Sequence, residues 1–182
     1  MIQLRSRLRA GLVRWAREED GYMAVSFALM LPIYLTLFMM SFEIGMFSVR
    51  QTILDRALDI TARAVRLGEM PNPNHAAIKQ MICDNAPSLT DCNATLNLAI
   101  ERVSTTTWQM PTSTLECVDR SRPINPVGAV DSNPQARQVL MVLRVCISAH
   151  TIFPGTGIGA ALMKDGMGDY YMTASSAFLN EP

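Results

Sequence analysis

The chain has 182 residues, of which 49% are hydrophobic, and its 16 basic and 16 acidic residues give a net charge of zero. This length predicts about one folded domain. No cluster of basic and aromatic residues stands beyond about the first twenty positions, so the composition excludes a nucleic-acid-binding surface. We therefore expect no nucleic-acid partner.

The chain begins with a basic leader, residues 1–21. Three arginines stand within about 20 residues after the long apolar run that follows the leader, whereas five stand before the run. Because positive charge beside a membrane helix stays on the cytoplasmic side, this asymmetry predicts a cytoplasmic N-terminus and an extracytoplasmic C-terminus. The five leader arginines are Arg5, Arg7, Arg9, Arg14 and Arg17.

The apolar run extends from Gly21 to Phe42 without a charged residue. About 20 helical residues cross a hydrocarbon core of ~30 Å, so the run is long enough to span a bilayer. It exceeds the ~7–15 apolar residues of a cleaved secretory signal, and it ends in bulky residues rather than in a small-x-small cleavage site. We therefore assign residues 22–47 to a transmembrane helix that is retained in the lipid bilayer.

Two residues have special positions in this helix. Pro32 lies in mid-span and cannot donate to the carbonyl of Ala28, which predicts a kink. Glu43 would cost ~2.5–3.5 kcal/mol at a bilayer centre, so the hydrocarbon span should end near Phe42. The Glu43 carboxylate either touches water at the boundary or pairs with a cation of another subunit, and the sequence leaves both open.

Residues 48–68 continue the same helix as an amphipathic extension. Apolar residues recur there at steps of four and three, which indicates one packing face. Gly68 and the prolines that follow it are typical stop signals of a helix. The predicted packing residues are Ile53, Ala57, Ile60, Ala64 and Leu67.

Residues 69–182 form the predicted extracytoplasmic domain, and all four cysteines lie in it. Outside the cytoplasm, four cysteines predict two disulfides with three possible connectivities. We favour Cys83–Cys92 and Cys117–Cys146 because each pair is local in the sequence. Neither C-x-x-C nor H-x-x-x-H spacing is present, so a zinc site is not expected.

The outer domain is predicted to contain one short helix, around residues 75–85, and three strands. Residues 95–103 alternate between apolar and polar, as in a half-buried strand, whereas 138–148 are apolar on both faces, as in a central strand. Residues 170–179 suit a third strand. Residues 107–134 are predicted to form a long loop with one edge strand near 116–119. A long helix on an antiparallel sheet makes the fold class α+β.

Catalytic chemistry finds little support in the sequence. His75 and His150 stand far apart, and no serine occurs in a G-x-S-x-G setting. The glycine-rich residues 154–159 lack the G-K-[ST] ending of a phosphate-binding loop, so we interpret them as a turn. A thiol oxidoreductase would need an exposed reactive pair, usually in a C-x-x-C setting. We expect no enzymatic activity, no cofactor and no metal.

The N-terminal pattern resembles the TadE-like proteins of the Tad (Flp) type IV pilus machinery, which are small membrane-anchored pseudopilins. The residues that carry the resemblance are REEDG (17–21), Tyr22, AVSFALMLP (24–32) and FEIG (42–45). The C-terminal SSAFLNEP (175–182) is also similar to the ends of some members.

The resemblance implies a pilin-like fold in the bacterial inner membrane, with the C-terminal domain periplasmic or extracellular. It implies that a prepilin peptidase cuts after Gly21 and leaves Tyr22 as the new N-terminus. It also implies two kinds of further partner, other pilins or pseudopilins and the inner-membrane platform proteins of the pilus. The resulting function is assembly or priming of a Tad pilus.

Ser26 departs from the family pattern. Pilin-like members usually carry Glu five residues after the cut, where it can neutralise the new α-amino group of a neighbour, and serine cannot supply that charge. The departure disfavours a repeated major subunit and leaves a minor, tip or priming role open. The alternative is an unprocessed bitopic envelope protein whose outer domain is a protein-binding module.

Overall fold

A computed structural model of the protein describes residues 20–111, 114–123, 126–131, 133, 138–155 and 157–180, without the side chains of Asp20 and Ile158. Nearly all of the basic leader, and parts of the predicted 107–134 loop, lie outside these ranges. The elements in chain order are α1 (Asp20–Arg66), α2 (His75–Asp84), α3 (Cys92–Thr95), β1 (Leu96–Arg102), β2 (Leu140–Ala149), α4 (Gly157–Ala161) and β3 (Tyr170–Leu179).

The three strands form one antiparallel sheet in the order β1-β2-β3. Leu98 lies opposite Val145, which in turn lies opposite Ala174. The central position of β2 agrees with its nearly continuous apolar sequence, because a central strand is covered on both faces. The sheet and the long helix confirm the α+β class.

Helix α1 has 47 residues, which makes it about 70 Å long at the rise of an α-helix. It ends as its stop signals predict, since Gly68 adopts a left-handed φ of 72° and the Glu69 N–H donates to the Ala64 carbonyl at 3.0 Å. These contacts satisfy carbonyl groups that the end of a helix would otherwise leave bare. Pro32 lies inside the helix, and the kink there stays a prediction.

The outer half of α1 packs on a different face from the predicted one. Ala57 and Ala64 are buried, but Ile60 is 40% and Leu67 46% exposed, and Ile53 is only partly buried. The buried stripe is rotated from the predicted one, and it includes the polar Thr61, whose hydroxyl donates to the Ala57 carbonyl at 2.8 Å. The stripe contains Leu54, Ala57, Leu58, Thr61, Ala62 and Val65.

Strand β1 is buried on both faces instead of the predicted one. Asn97 and Ala99, on the face away from α1, are each only 2% exposed. Residues 114–123 and 126–131, which we call the covering segment, lie over this face, and Ile100 exchanges backbone hydrogen bonds of 2.9 Å with Ala129 and Asp131. The expected strand at 116–119 does not form, and the pairing is a single parallel bridge between Ile100 and Val130.

Two disulfides connect these layers, and they are the pairs favoured from the sequence. Cys83–Cys92 joins α2 to α3, and Cys117–Cys146 joins the covering segment to β2. One hydrophobic core lies between α1, α2 and the inner face of the sheet. Among its fully buried side chains are Leu54, Leu58, Ile78, Ile82, Leu98 and Leu143.

Candidate functional site

The first half of α1 is an apolar rod that the rest of the protein leaves uncovered. From Gly21 to Phe38 every residue is exposed except Ser26, which is half-exposed. The most apolar 18-residue window has a mean hydropathy of 2.0, and none of it is buried inside the protein. By length and composition the helix can cross a membrane, and exposed apolar surface of this extent marks a membrane or protein contact.

Glu43 lies at the end of this rod, where the folded domain begins. Its side chain is only 4% exposed, and its carboxylate accepts hydrogen bonds from the Ile152 N–H at 3.2 Å and the Phe153 N–H at 3.1 Å. Neither option left open by the sequence, contact with water or with a cation of another subunit, describes this arrangement. The carboxylate is bound within its own chain, which compensates for its burial.

The segment that binds Glu43 joins β2 to β3, and we call it the membrane-proximal loop (residues 150–155 and 157–169). Its Phe153 ring packs edge-on against Phe42, with ring centroids 6.2 Å apart. Gly157 lies so close to Met40 that a Cβ atom there would come within 2.4 Å of the Met40 Cγ, and its φ of +51° also favours glycine. The loop therefore extends along α1 down to Met40.

Both ends of the membrane-proximal loop are fixed to α1 near Arg50. The Arg50 guanidinium donates to the His150 carbonyl at 2.6 Å and to the Tyr170 hydroxyl at 2.8 Å. Tyr170 is almost fully buried, and its ring packs on Phe47 at a centroid distance of 5.5 Å. Arg50 thus holds the two ends of the loop together, and the rest of the loop extends from there along α1.

A tight turn in the returning arm of the loop is built by Asp165. Its carboxylate accepts from the Met167 N–H at 2.9 Å and the Asp169 N–H at 2.8 Å, a local bond pattern typical of aspartate in turns. The Asp165 side chain is fully buried. The turn therefore brings the Asp165 and Asp169 carboxylates together.

Arg120 of the covering segment lies among these acidic groups. Its guanidinium pairs with Asp169 and lies 3.8 Å from carboxylate oxygens of Asp91 and Asp165. Nδ1 of His150 lies 2.8 Å from Asp169. The residues that the structure describes contain no group of three or more His, Cys, Asp or Glu placed to hold a metal. We interpret the cluster as an ionic connection between loop and sheet, since Arg120 supplies the cation.

Comparison with known proteins gives one similarity, and it lies in the long helix. Residues 21–63 match the model of the family described as TadE-like protein. This part of the chain is similar to TadE-like proteins. The match includes the apolar half of α1 and most of its packed half, and it leaves the disulfide domain outside. Neither curated proteins nor solved structures give a match to this chain.

The predicted cleavage residues lie at the beginning of the TadE-like segment. Gly21 and Tyr22 are within the first turn of α1, where Tyr22 is 74% exposed and a Cβ atom on Gly21 would meet no atom within 4 Å. The preceding residues 1–19 lie outside the described ranges. The described part of this region is thus open to another molecule.

The disulfide sulfurs of the protein lie inside the outer domain. Cys146 is fully buried, Cys83 and Cys92 are less than 10% exposed, and Cys117 is partly buried. A redox-active pair is exposed and reactive, so this burial supports a structural role. His75 begins α2 and His150 lies in the loop after β2, and the two form no joint site.

Sequence reasoning missed the amides that bind Glu43, the hydrogen bonds from Asn97 to the covering segment and the ion pairs of Arg120. Asn97 carried a local signal, since a lone amide in an apolar strand calls for a hydrogen-bond partner. The D-x-x-x-D spacing of Asp165 and Asp169, with two glycines between them, indicated a turn. For Arg120 no local pattern distinguishes it from a surface arginine.

Proposed function

We propose that this protein is a membrane-anchored pseudopilin that takes part in assembly or priming of a Tad (Flp) pilus. The observation that carries the proposal is the TadE-like match over residues 21–63, on a helix whose first half is apolar, uncharged and uncovered. The N-terminus lies in the cytoplasm and the disulfide domain lies outside the bacterial inner membrane. The two disulfides support an extracytoplasmic position of this domain, because such bonds persist in oxidising compartments.

The proposal includes cleavage after Gly21 by a prepilin peptidase. The family match begins at Gly21, and glycine near a helix end lowers the cost of unwinding the first turn into an extended substrate. Cleavage removes the basic leader and leaves Tyr22 at the cytoplasmic end of the span. The protein itself acts as substrate and scaffold, and in this proposal it has no enzymatic activity or cofactor.

A minor or priming role suits the uncharged rod. Ser26 cannot neutralise the α-amino group of a neighbouring subunit, and no charged residue stands between Gly21 and Phe42 that could do so instead. A repeated filament would leave that amino group unpaired in every subunit, at a high cost in lipid. Other pilins or pseudopilins and the inner-membrane platform proteins are the proposed partners.

The alternative function is an unprocessed bitopic protein whose outer domain binds another protein. Ser26 favours it, and so does an open groove of about 520 Å³ on the outer domain. Asp55, Arg144, Thr173 and Ser175 are among the residues that line this groove. Here the helix is only a tether, and the mature chain keeps its leader.

N-terminal sequencing of a C-terminally tagged chain, purified from native membranes with and without the prepilin peptidase, separates the two. We expect a start at Tyr22 that depends on the peptidase. Gly21→Leu should abolish this start, whereas Gly45→Leu, at another open glycine of α1, should leave it unchanged. An intact leader in both strains would favour the tether, and a start beyond Phe42 would mean that the helix is a removed signal.

A further inference from the structure

The tip of the membrane-proximal loop lies at the height where the bilayer should end. The uncharged run begins at Gly21, directly after the charged Asp20, and about 20 helical residues from there span the hydrocarbon core and end at Met40. Gly157 of the loop lies against the Met40 side chain. The loop therefore reaches down to the boundary and stops there.

The chemistry of the tip suits that position. Residues 152–163 contain no charged residue, and Lys164 is the first one after them. Pro154, Gly155 and Ala160 are exposed, and Met163 is 81% exposed. The Lys164 ammonium donates to the Pro154 carbonyl at 2.9 Å, which closes the uncharged segment on itself.

The apolar surface of the tip continues that of the rod. Phe153 packs on Phe42, which is itself 46% exposed, and Phe38, one turn nearer the cytoplasm, is 67% exposed. The rod is exposed all round from Gly21 to Phe38, so lipid that surrounds it would meet the loop from below. Bilayer contact is thus continuous from helix to loop.

Three acidic groups near this tip are buried within the protein. Glu43 is buried beneath the loop, where the Ile152 and Phe153 amides bind its carboxylate. Asp165 and Asp169 are buried on the returning arm and paired with Arg120. The loop therefore presents no acidic side chain that a lipid interface would repel.

We propose that residues 152–155 and 157–163 form an interfacial membrane-contact segment that rests in the headgroup region of the phospholipid bilayer. Together with α1 it gives the domain two points of contact with the membrane, which fix its height and orientation above the bilayer. The inference rests on the proposed membrane anchoring, and it adds a second contact that a simple tether lacks.

The test measures the depth of spin labels in the full chain, reconstituted alone in phosphatidylcholine–phosphatidylglycerol vesicles. All four native cysteines are in disulfides, so a label attaches to one added cysteine. Gly155→Cys and Ala160→Cys report on the tip, and a side chain at 155 meets open space. Val127→Cys, 76% exposed in the covering segment, is the water control, and Leu29→Cys is the lipid control.

We expect the ratio of collisions with oxygen to collisions with a water-soluble nickel complex to be several-fold higher at 155 and 160 than at 127, and lower than at 29. Collision ratios at 155 and 160 equal to the ratio at 127 would overturn the proposal. Low access of both reagents to 155 and 160 would also overturn it, because it would mean that these positions contact protein. A collision ratio at 29 equal to the ratio at 127 would instead refute membrane anchoring by α1. Met163→Cys repeats the measurement if a label at the glycine disturbs the loop.

Discussion

At the scale of single residues, Asn97 determines the path of a long segment. It is buried within β1, and its side-chain amide donates to the Glu116 carbonyl at 2.8 Å while its carbonyl oxygen accepts from the Gly128 N–H at 2.9 Å. Gly128 has no room for a side chain, since a Cβ atom there would lie 1.9 Å from the Leu98 oxygen. These contacts hold the covering segment against the sheet.

Replacement of Asn97 by alanine should therefore destabilise the outer domain. It removes the hydrogen-bond partners of the partly buried Gly128 amide and Glu116 carbonyl, and loss of a partner costs up to about 1–3 kcal/mol. Denaturant unfolding in detergent micelles measures the change, and Asn93→Ala, at an exposed position in α3, is the matched control. Equal stability of the two variants would contradict the role assigned to Asn97.

Glu43 is the second residue whose contacts determine local structure. Glu43→Ala leaves the Ile152 and Phe153 amides without their acceptor, and hydrogen bonds to charged groups contribute about 1.5–3 kcal/mol. We expect faster hydrogen exchange at these two amides and a lower unfolding free energy. Glu69→Ala, at an exposed position after α1, should change neither quantity. Unchanged exchange in the Glu43 variant would show that the carboxylate does not hold the loop.

At the scale of elements, the corrected face of α1 can be tested by a pair of substitutions. Leu58 is 1% exposed and Ile60 is 40% exposed. Truncation of a buried leucine to alanine costs about 2–5 kcal/mol because it loses apolar contacts and leaves a cavity, so Leu58→Ala should strongly lower the unfolding free energy. Ile60→Ala should cost well under half as much. A larger loss of stability in Ile60→Ala than in Leu58→Ala would instead support the packing face predicted from the sequence.

The two disulfides should differ in their contribution to stability. Cys117–Cys146 spans 29 residues and Cys83–Cys92 spans 9, which by loop entropy corresponds to roughly 3.5 and 2.5 kcal/mol. The paired alanine variants should therefore rank in that order in denaturant unfolding, each compared with the wild-type chain. A larger loss from the short loop would show that packing around α2 and α3 outweighs chain entropy.

The elements that the sequence predicted well are those with a local signal. The apolar run, the helix stop at Gly68, the short helix α2 and the strand Tyr170–Leu179 each depend on neighbouring residues, and the structure has them close to the predicted bounds. The burial of β1 on both faces was missed because the covering segment, which is distant from β1 in the sequence, covers its second face.

At the scale of the whole molecule, the candidate site combines parts that are far apart in the chain. The apolar rod was predictable because its length and lack of charge lie in one continuous segment. The loop at its base was not, since Glu43 and the amides it binds are separated by more than 100 residues and meet only when β2 forms and ends at Ala149. Sequence patterning thus identifies the candidate membrane span, and the tertiary fold determines which loop lies at its end.

The whole domain should lose stability in mild acid because of His75. Burial, with a smaller effect of the Lys79 charge, lowers the pKa of His75 below its ordinary value of 6.5, although a hydrogen bond with Asn97 partly opposes the shift. The unfolded chain therefore binds a proton at a higher pH than the folded chain, so stability is lost as the pH falls below about 6.5. The Arg102 hydrogen bond lowers the pKa of Asp131, and its contribution is lost only when the pH falls below its ordinary value of 3.8.

Denaturant unfolding between pH 8 and pH 5, in steps of about half a unit around the ordinary histidine pKa, measures this loss. His75→Gln should flatten the profile in this window because no proton is taken up on unfolding at that position. Lys79→Gln should reduce the drop without abolishing it, since burial, the larger cause, remains. A wild-type profile that is already flat down to pH 5 would show that His75 titrates alike in the folded and unfolded chain, and that the acid sensitivity of the domain begins only with its carboxylates.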